Sequence, residues 1–176
     1  MQDKEPVYKT VCVPQEPFIT VLCFRISDKQ NNQEFTTVIY VTRKEHFTAA
    51  HRLHNPNKSE SWNRDTYGAC NHPNWHGHNY VIEVTVAGNP DPDTGYVVDL
   101  GKLKQTIYDR VLSKCDHKNL NLDVDFLEKV IPSAENLARA FFCELNEDVK
   151  QISYEGRLYS VKLYETERNI AEYRGA

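Results

Sequence analysis

The stretch from His76 to Val86 constrains the fold more than any other part of this chain. Tyr80, Ile82, Val84 and Val86 share one parity, while Glu83 and Thr85 share the other. Side chains two apart in an extended chain point to the same face, so the alternation predicts a half-buried strand over residues 80–87. His76 and His78 carry the apolar parity back toward the N-terminus. Two imidazoles are then aimed at one point on the rim of a core, and Gly77 keeps the opposite face free of bulk. Two converging neutral imidazoles are half of a tetrahedral zinc site. A lone His-x-His is more often polar surface, so the remaining residues have to decide.

Phe47, Ala49 and His51 alternate with Thr48 and Ala50. A strand over residues 47–51 would end with His51 facing inward, and pairing it with the next strand would bring three histidines together. Three protein ligands leave one position open, the pattern of a catalytic rather than a structural zinc. At the edge of a core such an ion is an effective Lewis acid. Cys70 lies six residues before His76. A thiol near a cation is drawn toward the thiolate, which can be a base, a nucleophile or a fourth ligand. Asp116-His117 is a carboxylate next to an imidazole, a pairing that can orient a base, although taken alone it is a weak signal that a solvated loop explains better. Val161, Leu163 and Glu165 share a strand parity. A carboxylate prolonging an apolar face needs a partner, and a flat ligand with adjacent ring N–H and amino donors would satisfy both oxygens. The alternative places Glu165 past the sheet edge, facing water.

The bulk numbers narrow the function classes. A length of 176 residues predicts one main domain. A net charge of -4 argues against nucleic acid or an acidic membrane surface as partner, since both want a basic patch. No run approaches the roughly 18 apolar residues of a membrane span. Met1 to Thr10 is polar and mixed in charge, unlike a secretory signal. The five cysteines are irregularly spaced and odd in number, which predicts a reducing, cytoplasmic setting rather than a disulfide framework.

In chain order, residues 1–17 read as a tail, and residues 18–26 and 35–41 as a hairpin around a polar turn. Residues 52–67 read as a long loop, of the length that usually serves function. Residues 96–98 are expected to resume the sheet. Asp99 can cap a helix with Leu100, Leu103, Ile107 and Val111 on one stripe. After a loop over residues 115–121, Ser133 can cap a second helix, with Glu135 in its first turn and Leu137, Phe141 and Leu145 on its stripe. Strands over residues 158–165 and 170–173 close the chain. The order predicts an α+β fold, with two helices on one face of an antiparallel sheet.

Five segments occur together: Phe47-Thr48-Ala49-Ala50-His51-Arg52-Leu53; Cys70 with His76-Gly77-His78-Asn79-Tyr80; Asp116-His117-Lys118-Asn119-Leu120; Ser133-Ala134-Glu135-Asn136; and Tyr164-Glu165-Thr166. In this order and spacing the chain resembles the 6-pyruvoyl-tetrahydropterin synthase family over about residues 44–175. The resemblance implies a tunnelling fold whose sheets join as a β-barrel in trimers, paired into a homohexamer. It implies a 44–176 pterin synthase domain behind a 1–43 N-terminal extension of tail and hairpin. The implied reaction is zinc-dependent conversion of 7,8-dihydroneopterin triphosphate to 6-pyruvoyl-tetrahydropterin, with triphosphate release, on the way to tetrahydrobiopterin. His51, His76 and His78 match the ligands of one zinc per subunit. Cys70 matches the catalytic base, and Asp116 and His117 its relay. Glu165 matches the pterin anchor, with Ser133 and Glu135 at the substrate-binding turn, and magnesium is associated with turnover.

The implied partner is the small pterin triphosphate, with neither nucleic acid nor membrane. Arg52, Lys58, Arg64 and Lys118 are candidates for the triphosphate. The chain departs from the family in having Ser133 and Ala134 where two threonines are common, and in carrying His72 and Trp75 in the metal loop. Two rivals stand beside this reading. One is the related 6-carboxy-tetrahydropterin synthase of the queuosine pathway, which usually spaces its cysteine closer to His-Gly-His. The other is a non-catalytic zinc-structured binding module with Cys70 as fourth ligand.

Overall fold

A computed structural model describes residues 38–175. The tail, the first hairpin arm and the turn after it lie outside those residues. The described part runs β1 (Ile39–His51), α1 (Glu60–Tyr67), β2 (His76–Gly88), α2 (Leu100–Ile107), a π-helical turn (Tyr108–Leu112), α3 (Ser113–Cys115), β3 (Lys118–Asn119), α4 (Ala134–Ile152), β4 (Arg157–Tyr164) and β5 (Ile170–Tyr173). The sheet order is β3-β1-β2-β4-β5. Every pairing is antiparallel except the two-residue β3, which runs parallel to β1.

The alternation in β2 sets the register. Tyr80, Ile82, Val84 and Val86 are all fully buried. They pair with β1 so that Phe47 faces Tyr80, Ala49 faces His78 and His51 faces His76. A slip of one residue would turn each apolar set to the wrong face, so burial holds the alignment. The strand begins at His76, four residues earlier than the apolar alternation alone predicts, and carries the whole His-Gly-His segment. Gly77 lies close to its neighbour; a Cβ there would sit 3.2 Å from the Ala49 carbonyl oxygen.

Both predicted helices form with their predicted caps. The Asp99 carboxylate accepts from the backbone N–H of Gly101 (2.7 Å) and Lys102 (3.1 Å). Leu103, Ile107 and Val111 are then buried against the sheet. The π-helical turn inserts one residue per turn before α3, re-phasing the stripe so that Cys115 is also buried. The Ser133 hydroxyl accepts from Asn136 N–H at 3.4 Å, and Leu137, Phe141, Leu145 and Val149 form the buried stripe of α4. Phe47 ties the layers together: its ring stacks on Tyr80 at 4.9 Å and meets Phe141 edge-on at 5.9 Å. The opposite sheet face is polar, with Lys44 paired to Glu83 at 3.2 Å.

Two expectations fail. Residues 96–98 do not rejoin the sheet; only Val98 makes a bridge, to Ser153, and the Asp91 N–H bonds back to the Tyr96 carbonyl at 2.9 Å. The chain there closes a turn before it can extend. The stretch 52–67 is not all loop, because α1 occupies its second half. This helix has no apolar stripe, and Asn63 is its one buried residue. Its Oδ1 accepts from Asn55 N–H (2.7 Å), while its Nδ2 donates to the Asn55 (2.9 Å) and Ser59 (3.1 Å) carbonyls. The Ser59 hydroxyl caps α1 by accepting from Trp62 N–H at 3.2 Å. Polar bonds replace apolar periodicity, which is why periodicity does not reveal the helix.

Candidate active site

His51 is the last residue of β1, and His76 and His78 open β2. Pairing therefore gathers them at one end of the sheet. Their ring centroids lie 4.5 Å (His51–His76), 5.1 Å (His51–His78) and 5.0 Å (His76–His78) apart. One ring nitrogen from each falls within 4.8 Å of the other two. His51 is 1 % exposed.

Among the described residues, four buried ring nitrogens have no hydrogen-bond partner: His51 Nε2, both nitrogens of His76, and His78 Nε2. Unpartnered buried polar atoms are costly, and three of them converging fit a bound cation. The donor set fits a metal. The Nδ1–H of His51 donates to the Pro132 carbonyl at 2.8 Å, which fixes the tautomer and leaves the Nε2 lone pair facing the cluster. The Tyr80 hydroxyl lies 3.3 Å from the same Nδ1. Burial holds the His51 imidazole below its ordinary titration range, opposed by the Pro132 bond and reinforced by the neighbouring rings. Burial, then the His78 ring, lowers His76 likewise. Neutral rings are what a metal ion requires. Burial also pushes the Tyr80 phenol far above its ordinary value, so it stays protonated.

Glu165 follows the last residue of β4 and is half-buried beside the cluster. Its Oε1 lies 3.6 Å from His51 Nε2 and 3.9 Å from His78 Nε2. The alternative of a carboxylate beyond the sheet edge in open water does not hold. An open cleft of about 650 Å³ starts here, bounded by His78, Glu165, Thr166, Tyr164 and Lys44.

Cys70 sits half-buried on a 3-10 turn (Gly68–Asn71) ahead of β2. The turn is pinned from β1's exit: Leu53 N–H donates to the Cys70 carbonyl (2.9 Å), and Arg52 Nε donates to the Asn71 carbonyl (2.8 Å) and side-chain oxygen (3.0 Å). Arg52, read from the sequence as a phosphate candidate, thus spends its Nε on the turn that carries Cys70. Among the described residues, the clustered metal-ligand atoms are those of His51, His76 and His78, without Cys70.

Asp116 and His117 are not joined to that cluster within the chain. They lie at the β3 edge of the sheet, where Asp116 Oδ1 accepts from Thr48 N–H at 2.8 Å and His117 N–H donates to the Thr48 carbonyl at 2.6 Å. The two side chains pair at 3.0 Å, and the His117 side chain is 80 % exposed. The Thr48 N–H, then His117, hold the Asp116 carboxyl below its usual range. Among the described residues, no hydrogen bond links Cys70 to His117. Ser133 is half-buried and one residue from the Pro132 carbonyl, whereas Glu135 is exposed. Sequence reasoning missed Pro132, the Tyr80 hydroxyl and Asn71. The parity of β2 could have flagged Tyr80, but backbone carbonyls such as that of Pro132 leave no trace in composition.

A family model described as 6-pyruvoyl tetrahydropterin synthase matches residues 40–176. A 6-pyruvoyl tetrahydrobiopterin synthase from Homo sapiens is 40 % identical over 135 residues, covering 77 % of this chain and 90 % of that protein. A protein of the same name from Poecilia reticulata is 37 % identical over 150 residues, covering 85 % of this chain and 99 % of that protein. The solved structure of Caenorhabditis elegans 6-pyruvoyl tetrahydropterin synthase superposes with a TM-score of 0.72 at 39 % identity, covering 80 % of this chain and 97 % of that one. A model match over most of the chain, near-complete relatives at this identity and a shared fold agree: the chain belongs to the 6-pyruvoyl tetrahydropterin synthase family.

Proposed function

We propose that this chain is a zinc-dependent lyase that converts 7,8-dihydroneopterin triphosphate to 6-pyruvoyl-tetrahydropterin and releases triphosphate. The observation that carries the reading is the convergence of three buried, unpartnered imidazole nitrogens beside the Glu165 carboxylate. His51, His76 and His78 would hold one zinc per subunit, with one position open for substrate. When bound, zinc supplies Lewis acidity to the hydroxyls of the substrate side chain.

The chain's own residues do the rest. Glu165 accepts from the pterin ring N–H and amino group and orients the side chain toward the cluster. Ser133 and Glu135 border the same ligand at the head of α4. Cys70 takes a proton from the side-chain carbon and returns it after triphosphate has left, moving the unsaturation along the chain. Asp116 and His117 relay that proton. Their exposure at the sheet edge supports a relay reaching a neighbouring subunit rather than this chain's Cys70. Among the described residues, no further strand pairs with the outer edges of β3 and β5, which supports assembly into a trimeric barrel and a homohexamer. Magnesium accompanies the triphosphate. Residues 44–176 form the pterin synthase domain and residues 1–43 an extension, and the free thiols of Cys70, Cys115 and Cys143 fit the cytoplasm.

Turnover of 7,8-dihydroneopterin triphosphate with mass analysis of the product tests the reading. The pyruvoyl product without acetaldehyde is expected; acetaldehyde and a carboxy product would assign the chain to the 6-carboxy-tetrahydropterin synthase reaction instead. Absence of turnover, with zinc and fold lost together in Cys70→Ala, would leave the binding module.

A further inference from the structure

Glu165 can anchor a flat ligand only if its carboxylate is held in one orientation. A glutamate has three side-chain torsions, and those at the end of a strand are otherwise free to turn toward water. Among the described residues, one side chain donates to this carboxylate: Asn169 Nδ2, 3.3 Å from Glu165 Oε2. The histidines approach the other oxygen no nearer than 3.6 Å.

The Asn169 backbone is itself held by two hydrogen bonds. Its carbonyl accepts from Glu165 N–H at 3.0 Å, closing the turn between β4 and β5. Its N–H donates to the Thr166 hydroxyl at 3.0 Å, and Arg168 N–H donates to the same oxygen at 3.2 Å. The turn therefore presents the Asn169 amide from a braced backbone. A carboxylate offers about four lone-pair directions. With one of them on Oε2 taken by Asn169, the remaining directions stay available to a ligand, and Glu165 lines the cleft.

We propose that Asn169 is a positioning residue for substrate. It locks the Glu165 carboxylate so that both oxygens meet the adjacent N–H donors of a pterin ring without reorganisation. This rests on the reading of Glu165 as the pterin anchor. Asn169 acts through Glu165 and touches neither substrate nor metal.

The test is a double-mutant cycle read by binding as well as by turnover. Neopterin affinity is measured by fluorescence titration on protein with and without zinc. Asn169→Asp keeps the shape and the backbone bonds of the turn while replacing the donor with a like charge. Asn169→Ala removes the donor alone. Loss of a hydrogen bond to a charged group predicts a rise of about ten-fold in neopterin Kd and substrate KM for Asn169→Ala, and more for Asn169→Asp. Zinc content, unfolding temperature and kcat should stay near those of the parent. In a Glu165→Gln background the Asn169 substitutions should add less than about two-fold. An equal loss in both backgrounds, or none in either while Glu165→Ala weakens binding, overturns the inference. Unchanged neopterin binding in Glu165→Ala overturns the anchor reading itself, and this one with it.

Discussion

The Nδ1–H of His51 donates to the carbonyl oxygen of Pro132 at 2.8 Å, linking the end of β1 to the residue before the cap of α4. One bond therefore sets which nitrogen of the most buried imidazole faces the histidine cluster, and ties that choice to the turn that caps α4.

If that cluster is the metal site, its members and its thiol separate cleanly. His51→Ala, His76→Ala and His78→Ala should each fall below about a tenth of the parent's zinc per subunit, since two remaining ligands do not make a tetrahedral site. Cys70→Ala should keep stoichiometric zinc and the parent's circular dichroism while turnover drops by about 10²–10⁴. Metal analysis beside the turnover assay reads both. Zinc loss in Cys70→Ala would make the thiol a ligand.

The buried imidazoles also make the metal-free protein sensitive to acid. His51 and His76 are lowered from 6.5 chiefly by burial. Below 6.5 the unfolded chain gains protons that the folded one refuses, so stability is fully present above 6.5 and declines as pH falls. Unfolding midpoints of chelator-treated protein should be level from pH 8 to 7 and fall through pH 6 to 5. A level profile across that whole range would mean that these rings are not held neutral.

Thiol chemistry should sort by burial. Burial pushes the Cys115 thiol up to about 12, whereas Cys143 is exposed and Cys70 half-buried. Iodoacetamide followed by peptide mapping should modify Cys143 and Cys70 in the native protein, and Cys115 only after unfolding. Loss of activity should follow modification of Cys70. Inactivation that tracked Cys143 alone would remove Cys70 from the mechanism.

Phe141 links α4 to the sheet through Phe47 and is fully buried. Truncation to alanine removes that contact and leaves a cavity, which costs about 3–5 kcal/mol. Urea unfolding monitored by circular dichroism gives the difference directly, and a loss under about 1 kcal/mol would show that the layer collapses to fill the gap.

The parts governed by local periodicity and capping were legible in the residues alone. Alternation in β2 specified its buried face, and with it the direction of His76 and His78. Asp99 and Ser133 marked where their helices begin, because a side-chain oxygen before an apolar stripe satisfies otherwise orphaned N–H groups. The same parity put His51 with the pair, since a buried face admits one register. Contacts between groups far apart along the chain followed from packing. The Pro132 carbonyl meets His51 across 81 residues, Asp116 hooks onto Thr48 across 68, and Arg52 braces the Cys70 turn through Asn71. Backbone amides and carbonyls are alike at every position. Which of them orients a ring or holds a carboxylate is therefore settled only when packing brings the elements together.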